Sequence, residues 1–308
     1  MSIHPIFKQM LENSVNVPPT RDLPLEVIRQ ANVAMIPMLG QPEEIYKVED
    51  REIPGPAGTI PVRLYWPENS TPRPVVLCFH GGGMVAGTIE VFDNICRALT
   101  NRADCICISV EYRLAPENKF PVPLEDCYAA LVWATRHAAE FGGDPARIAI
   151  LGESAGANLA AGLALLARDR GGPALAFQVL VYPLLEYPIP GSPSMQELGK
   201  DYGLTQLDIQ WCAEQYMQSE ADRQNPYCLP ATASDLGGLP PALVITAEFD
   251  PLRDEGEAYA ARLREAGVTA TARRYPGVLH GFYLLTTLIE PSKQSLDDTV
   301  TALRAAFE

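Results

Sequence analysis

Short runs of apolar residues alternate along this chain with longer stretches whose apolar positions recur every three or four residues. The compact runs fall at 75–79, 105–110, 148–151, 176–182, 242–246 and 268–275, and read as buried strands. The periodic stretches fall at 91–101, 124–141, 155–169, 255–266 and 292–307, and read as helices. In the last of these, Leu296, Val300, Leu303 and Phe307 lay one apolar stripe along a helix. Two earlier strands, 44–53 and 59–66, are joined by the turn Gly55-Pro56-Ala57-Gly58. Strands that are apolar throughout, separated by amphipathic helices, imply a mostly parallel central sheet flanked by helices on both faces. The pattern predicts an α/β fold.

Two segments break that rhythm. Residues 1–43 precede the first strand and read as helical, with Asp22 as an N-cap and Leu25, Ile28 and Met35 on one side. Residues 184–228 lie between two sheet strands and are much longer than an ordinary connection. Prolines at 183, 188, 190 and 193 surround the opening of this insertion; Thr205 and Asp208 then make a capping box, with Leu204 and Ile209 as a hydrophobic staple. Trp211, Cys212, Tyr216 and Met217 follow as an apolar cover. Long excursions on a rigid sheet commonly serve as lids or binding loops. The expected division is a catalytic unit of 44–183 and 229–308, with 1–43 and 184–228 set apart from it.

Composition narrows the function classes. With 24 basic and 38 acidic residues in 308, the net charge is −14, which disfavours nucleic acid and anionic membrane surfaces as partners. Residues 1–14 lack the basic and apolar regions of a signal peptide, and no apolar run is long enough to span a bilayer. Seven cysteines without a CxxC pair read as reduced, buried thiols, so a cytoplasmic location and no metal site are expected.

The chemistry is concentrated at strand ends. Gly152-Glu153-Ser154-Ala155-Gly156 follows the strand run and opens a helix, the setting of a nucleophile elbow. The turn presents the Ser154 hydroxyl, and the Ala155 amide sits at a helix N-terminus, where free N–H groups favour a developing negative charge. His80-Gly81-Gly82-Gly83 follows another strand, and its glycines let backbone amides converge on an oxyanion. A serine needs a base. Of four histidines, His4 lies in the terminal arm and His137 in a helix with Trp133 and Phe141. His80 supports the glycine loop through backbone hydrogen bonds. His280 follows the last strand and is the expected base. Asp250 ends the run from 242 and is the expected orienting carboxylate, with Glu248 as the local alternative. Asp254 and Glu255 read as first-turn charges on the next helix. The chain order Ser154, Asp250, His280 is that of α/β-hydrolases.

On these residues the chain resembles the hormone-sensitive-lipase-like family of α/β-hydrolases, which includes many bacterial carboxylesterases. The matching stretches also include Tyr112-Arg113-Leu114-Ala115-Pro116-Glu117, Leu239-Pro240-Pro241-Ala242-Leu243, Asp250-Pro251-Leu252-Arg253-Asp254-Glu255-Gly256 and His280-Gly281-Phe282. The resemblance implies Ser154, Asp250 and His280 as the triad, the amides of Gly82, Gly83 and Ala155 as oxyanion donors, and a helical cap built from 1–43 and 184–228. It implies a serine carboxylesterase for short- to medium-chain esters, needing no metal or organic cofactor. Small-molecule esters are the expected partners, and homodimerisation through 268–275 is open because some relatives pair by their last strand and helix. Amide deacetylation, lactone opening, or a non-catalytic ligand receptor are the alternative readings on the same fold. Glu153 and Ala157 stand where the family usually has Asp and Gly, and Met84 replaces a frequent aromatic residue and is expected to widen the pocket.

Overall fold

The computed structural model describes residues 2–14, 18–68, 72–187 and 191–308. Pro188 and Pro190 lie outside the described residues. Eight strands form one sheet: β1 (Lys47–Gly55), β2 (Gly58–Trp66), β3 (Arg73–Phe79), β4 (Ile106–Val110), β5 (Gly143–Glu153), β6 (Phe177–Val181), β7 (Ala242–Phe249) and β8 (Ala270–Leu279). Their order is β1-β2-β4-β3-β5-β6-β7-β8. The β1–β2 and β2–β4 pairs are antiparallel and the pairs from β4 through β8 are parallel. Every strand expected from the sequence is present.

The helices are α1 (Pro5–Ser14), α2 (Leu25–Ala34), α3 (Ile89–Ala103), α4 (Val122–His137), α5 (Ala155–Asp169), α6 (Pro193–Leu198), α7 (Gln206–Tyr216), α8 (Arg253–Glu265) and α9 (Glu290–Phe307). Side-chain alternation along the strands divides the core in two. Val75, Leu77, Ile106, Ile108, Ile148 and Ile150 face one way, against Leu124, Cys127 and Leu131 of α4, α5, and Tyr259 and Leu263 of α8. Val76, Cys78, Cys105, Cys107, Ala149 and Leu151 face the other, against Phe92, Ile95 and Leu99 of α3 and Leu296, Leu303 and Phe307 of α9. Both sheet faces are thereby removed from water, which is why the parallel strands read as unbroken apolar runs.

Several boundaries differ from the sequence pattern. β5 begins at Gly143, earlier than its apolar run, because Arg73 pairs with Gly143 and Val75 with Ile148, so the polar residues between them bulge out of register. β8 runs through Pro276 and Gly277 to Leu279, again across a register shift, and so ends immediately before His280. Asp22 does not cap a helix: it closes a short 3-10 turn, and Pro24 precedes α2 without a side-chain cap. Asp254 and Glu255 do lie in the first turn of α8, but Glu255 is buried, accepts a 2.6 Å hydrogen bond from the Leu185 amide, and is pushed well above the carboxylate range by burial. Glu255 therefore also holds the Leu185 backbone, a contact the first-turn reading did not include.

Between β6 and β7 the chain leaves the sheet and builds α6 and α7. Thr205 caps α7 in a reciprocal box with Asp208, as the sequence predicts, and Leu204 packs with Ile209 in a small separate cluster. Arg29 fastens α2 to the sheet's carboxyl edge: it donates to the carbonyls of Val85 and Ala115 and grips Glu117 with two nitrogens at 2.9 and 2.7 Å. No described helix is long and apolar enough to cross a membrane. All seven cysteines are free thiols, six of them buried.

Candidate active site

Ser154 sits between β5 and α5 with φ 54° and ψ −116°, a backbone conformation that is rare and strained for a residue with a side chain. The flanking glycines explain how the turn is tolerated. A Cβ on Gly152 would collide with the carbonyl of Gly156, and one on Gly156 with the carbonyl of Phe79. The Ser154 amide donates to Val181 at 2.9 Å, which pins the turn to the end of β6.

The structure brings the three expected side chains into one chain of hydrogen bonds. Ser154 Oγ lies 2.8 Å from His280 Nε2, and His280 Nδ1 lies 2.8 Å from Asp250 Oδ2. Asp250 is fully buried, and its second oxygen accepts the Leu252 amide at 2.9 Å. With Nδ1–H donated to the carboxylate, Nε2 is left as the acceptor for the serine hydroxyl. Burial pulls the His280 imidazole down, but the charge and hydrogen bond of Asp250 more than offset it, so its pKa lies above the ordinary 6.5. Glu248 remains within β7 and accepts the Gly277 amide at 2.7 Å, holding the segment that leads to His280.

Gly82, Gly83 and Ala155 line the same cavity as Ser154 and His280. Among the described residues none of their amides donates to a backbone carbonyl. His80 stands beneath this loop. Its Nδ1 lies 2.8 Å from the Gly81 carbonyl, its ring stacks on Tyr112 at 4.4 Å, and the Tyr112 hydroxyl donates to the His80 carbonyl at 2.7 Å. Burial pushes its pKa down, which favours the neutral form. Gly81 leaves room for Glu153, whose carboxyl would collide with a Cβ there. Burial pushes the Glu153 pKa up against the influence of nearby His280. His137 is remote from this site, stacked on Trp133 and bonded to Glu140.

The cavity measures about 330 Å³. Ile28 and Met35 line it; of the apolar cover expected from the insertion, Cys212 lines it too, but Trp211 and Met217 pack toward the core, and Leu204 and Ile209 face the cavity beside Cys212. Met84 does not widen it either. Its side chain is buried in the core, 1% exposed, and only its carbonyl serves the neighbouring loop by accepting the Ala115 amide. Sequence reasoning missed Tyr182, whose ring lies 4.5 Å from that of His280. Its position directly after β6, on the edge that carries the other residues, was the available signal. Among the described residues no group of three or more metal-ligating side chains is placed to hold an ion.

A mostly parallel sheet with a serine on a strained strand–helix turn, and with an acid and a histidine beyond later strands, defines a class. The family model for the alpha/beta hydrolase fold matches residues 76–284, and the chain belongs to that family. It is 45% identical over 265 residues to the carboxylic ester hydrolase LipN of Mycobacterium tuberculosis, covering 84% of this chain and 70% of that one. It is also 45% identical over 237 residues to an arylesterase of Saccharolobus solfataricus, covering 77% and 74%. Among solved structures, a hyperthermophilic esterase from Pyrobaculum calidifontis superimposes with a TM-score of 0.92 at 39% identity, covering 99% of each chain. A thermostable esterase from Pseudomonas putida gives 0.95 at 32% identity, covering 100% of this chain and 98% of that one.

Proposed function

We infer that the chain is a serine carboxylesterase that hydrolyses short- to medium-chain acyl esters through an acyl-enzyme. The observation that carries this reading is the unbroken contact Ser154 Oγ–His280 Nε2 and His280 Nδ1–Asp250 Oδ2 at the floor of the cavity. Ser154 Oγ attacks the ester carbonyl carbon while its proton passes to His280 Nε2. Asp250 holds the imidazole and stabilises its charged form. The carbonyl oxygen becomes an oxyanion, which the amides of Gly82, Gly83 and Ala155 receive, with His80 and Gly81 supporting that loop. His280 then returns the proton to the departing alcohol, and water repeats the sequence on the acyl-enzyme to release the acid. No step in this scheme draws on a metal or an organic cofactor. Residues 1–43 and 184–228 act as a cap over the catalytic unit, and the names of the four relatives described above, each an esterase or ester hydrolase, support the substrate class.

A screen of p-nitrophenyl esters with graded acyl chains, run beside Ser154→Ala, tests the reading. Wild-type turnover that disappears in the variant is expected. Activity retained by Ser154→Ala would reject Ser154 as nucleophile.

A further inference from the structure

Tyr182, the first residue after β6, has a φ of 35°, and a non-glycine residue is kept in that region only where its surroundings over-determine it. Its amide donates to the Ile245 carbonyl at 2.6 Å, and the residue before it, Val181, accepts the Ser154 amide. These two neighbours therefore reach both halves of the machinery: Val181 holds the nucleophile through its carbonyl, and Tyr182 meets the base through its ring. That ring is fully buried, lies 4.5 Å from the His280 ring at an interplanar angle of 54°, and lies 5.7 Å from Phe282. Phe282 is buried too and packs on Tyr275, so Tyr182 belongs to a run of packed rings that ends on the imidazole. Burial, and after it the charge of Glu153, push the Tyr182 phenol well above 10, so it offers His280 a neutral ring and not a second acid or base.

His280 needs such a neighbour at one stage more than at the others. In the free enzyme its imidazole is held at both nitrogens, by Asp250 and by Ser154. Once Ser154 Oγ carries the acyl group it has no proton to share, and Nε2 loses that partner until water arrives. The bond to Asp250 remains, but a single hydrogen bond lets a ring swing about it. The imidazole also lines the cavity, with its side chain 13% exposed, so open space lies beside it. A packed ring, unlike the serine hydroxyl, is not consumed by acylation.

We propose that Tyr182 is a positioning residue for deacylation, its ring keeping the His280 imidazole aimed at the attacking water while Ser154 is acylated. The proposal rests on the esterase reading and adds a role confined to one of its steps. In that step Nε2 takes a proton from water as the water oxygen bonds to the acyl carbon, and returns it to Ser154 Oγ as the bond between that oxygen and the acyl carbon breaks. A misplacement of about 1 Å costs on the order of a hundredfold in such a transfer. Acylation depends on the ring less, because the serine hydroxyl is then still present to hold Nε2.

The test compares Tyr182→Leu and Tyr182→Phe with wild type on p-nitrophenyl acetate, by steady-state kinetics and by the mass of enzyme acid-quenched during turnover at saturating substrate. Dividing kcat by the acylated fraction gives the deacylation constant, and kcat/KM follows acylation. Tyr182→Leu should lower the deacylation constant by about tenfold or more, and kcat/KM by less than about threefold. Tyr182→Phe keeps the ring and should hold both within about twofold of wild type. In Tyr182→Leu, equal falls in the two constants, or no fall in either, overturn the proposal. Melting temperatures show which variants are folded, and the phenylalanine variant decides the question even if the leucine variant is not: deacylation slowed about tenfold there, with the ring still present, overturns it as well. All of these outcomes leave the esterase reading standing, whereas absence of turnover by the wild type on any ester overturns that reading itself.

Discussion

His280 is held between two acids of unequal position, Asp250 in direct hydrogen bond and Glu153 nearby, and both raise its pKa against the effect of burial. The proposed base must be neutral to accept the serine proton, so activity is lost as pH falls through that pKa. The acid limb of kcat/KM should therefore have its inflection above pH 6.5, and Glu153→Gln should move it downward. A pH-rate profile with its inflection at or below 6.5, or one that Glu153→Gln leaves in place, would contradict this account. The two histidines near the site should separate in the same way. Removing the base with His280→Ala should lower kcat by several orders of magnitude with KM little changed. His80 is buried, stacked on Tyr112 and bonded to the Gly81 carbonyl. His80→Ala should thus cost less activity but depress the melting temperature. Matching kinetic losses at equal stability would assign both to the same role.

At the scale of elements, α7 is a short helix that presents Asp208, Ile209 and Cys212 to the cavity, and its start depends on Thr205. Removing that cap with Thr205→Ala should cost about 1 kcal/mol and raise KM more than it lowers kcat, because the helix bears on binding and not on the triad. Thermal melts beside steady-state kinetics check both halves, and a kcat loss at constant KM would place α7 in the chemistry. The capping box was readable because its partners are three residues apart, and the triad because Ser154, Asp250 and His280 each follow a strand whose apolar run is plain. The cavity wall was less readable. Trp211 is apolar like Ile209, and only the rotation of α7 about its axis decides which of them meets the cavity and which the core. Asp22 misled for a related reason: a good capping residue two positions before a proline was outcompeted by the proline's own fixed backbone. Extension of β8 through Pro276 and Gly277 depends on pairing with β7 across a register shift, which no local pattern records.

For the whole molecule, the decisive quantity is the volume of the cavity beside Ser154, about 330 Å³. A bounded apolar pocket rewards each methylene it accommodates by about 1–3 kcal/mol and penalises the first that does not fit. Acyl-chain preference should therefore rise to a maximum at short or medium length and then fall, with weak action on long-chain triglycerides. Rates followed through the solubility limit should show no jump as an emulsion forms; a jump would indicate a surface that opens onto lipid. The sheet and the part of the pocket wall built by α7 are also separable in closure cost. The insertion departs at Leu184 and returns at Cys228, whose carbonyls both accept from Asn158 Nδ2, at 2.8 and 2.9 Å. Because the exit and re-entry points are neighbours, lengthening or replacing the excursion adds little closure entropy, about 0.6 kcal/mol for each doubling of its length. A change of length or sequence in this passage would therefore reshape the part of the cavity wall that Leu204, Ile209 and Cys212 supply, while leaving in place the strands that carry Ser154, Asp250 and His280.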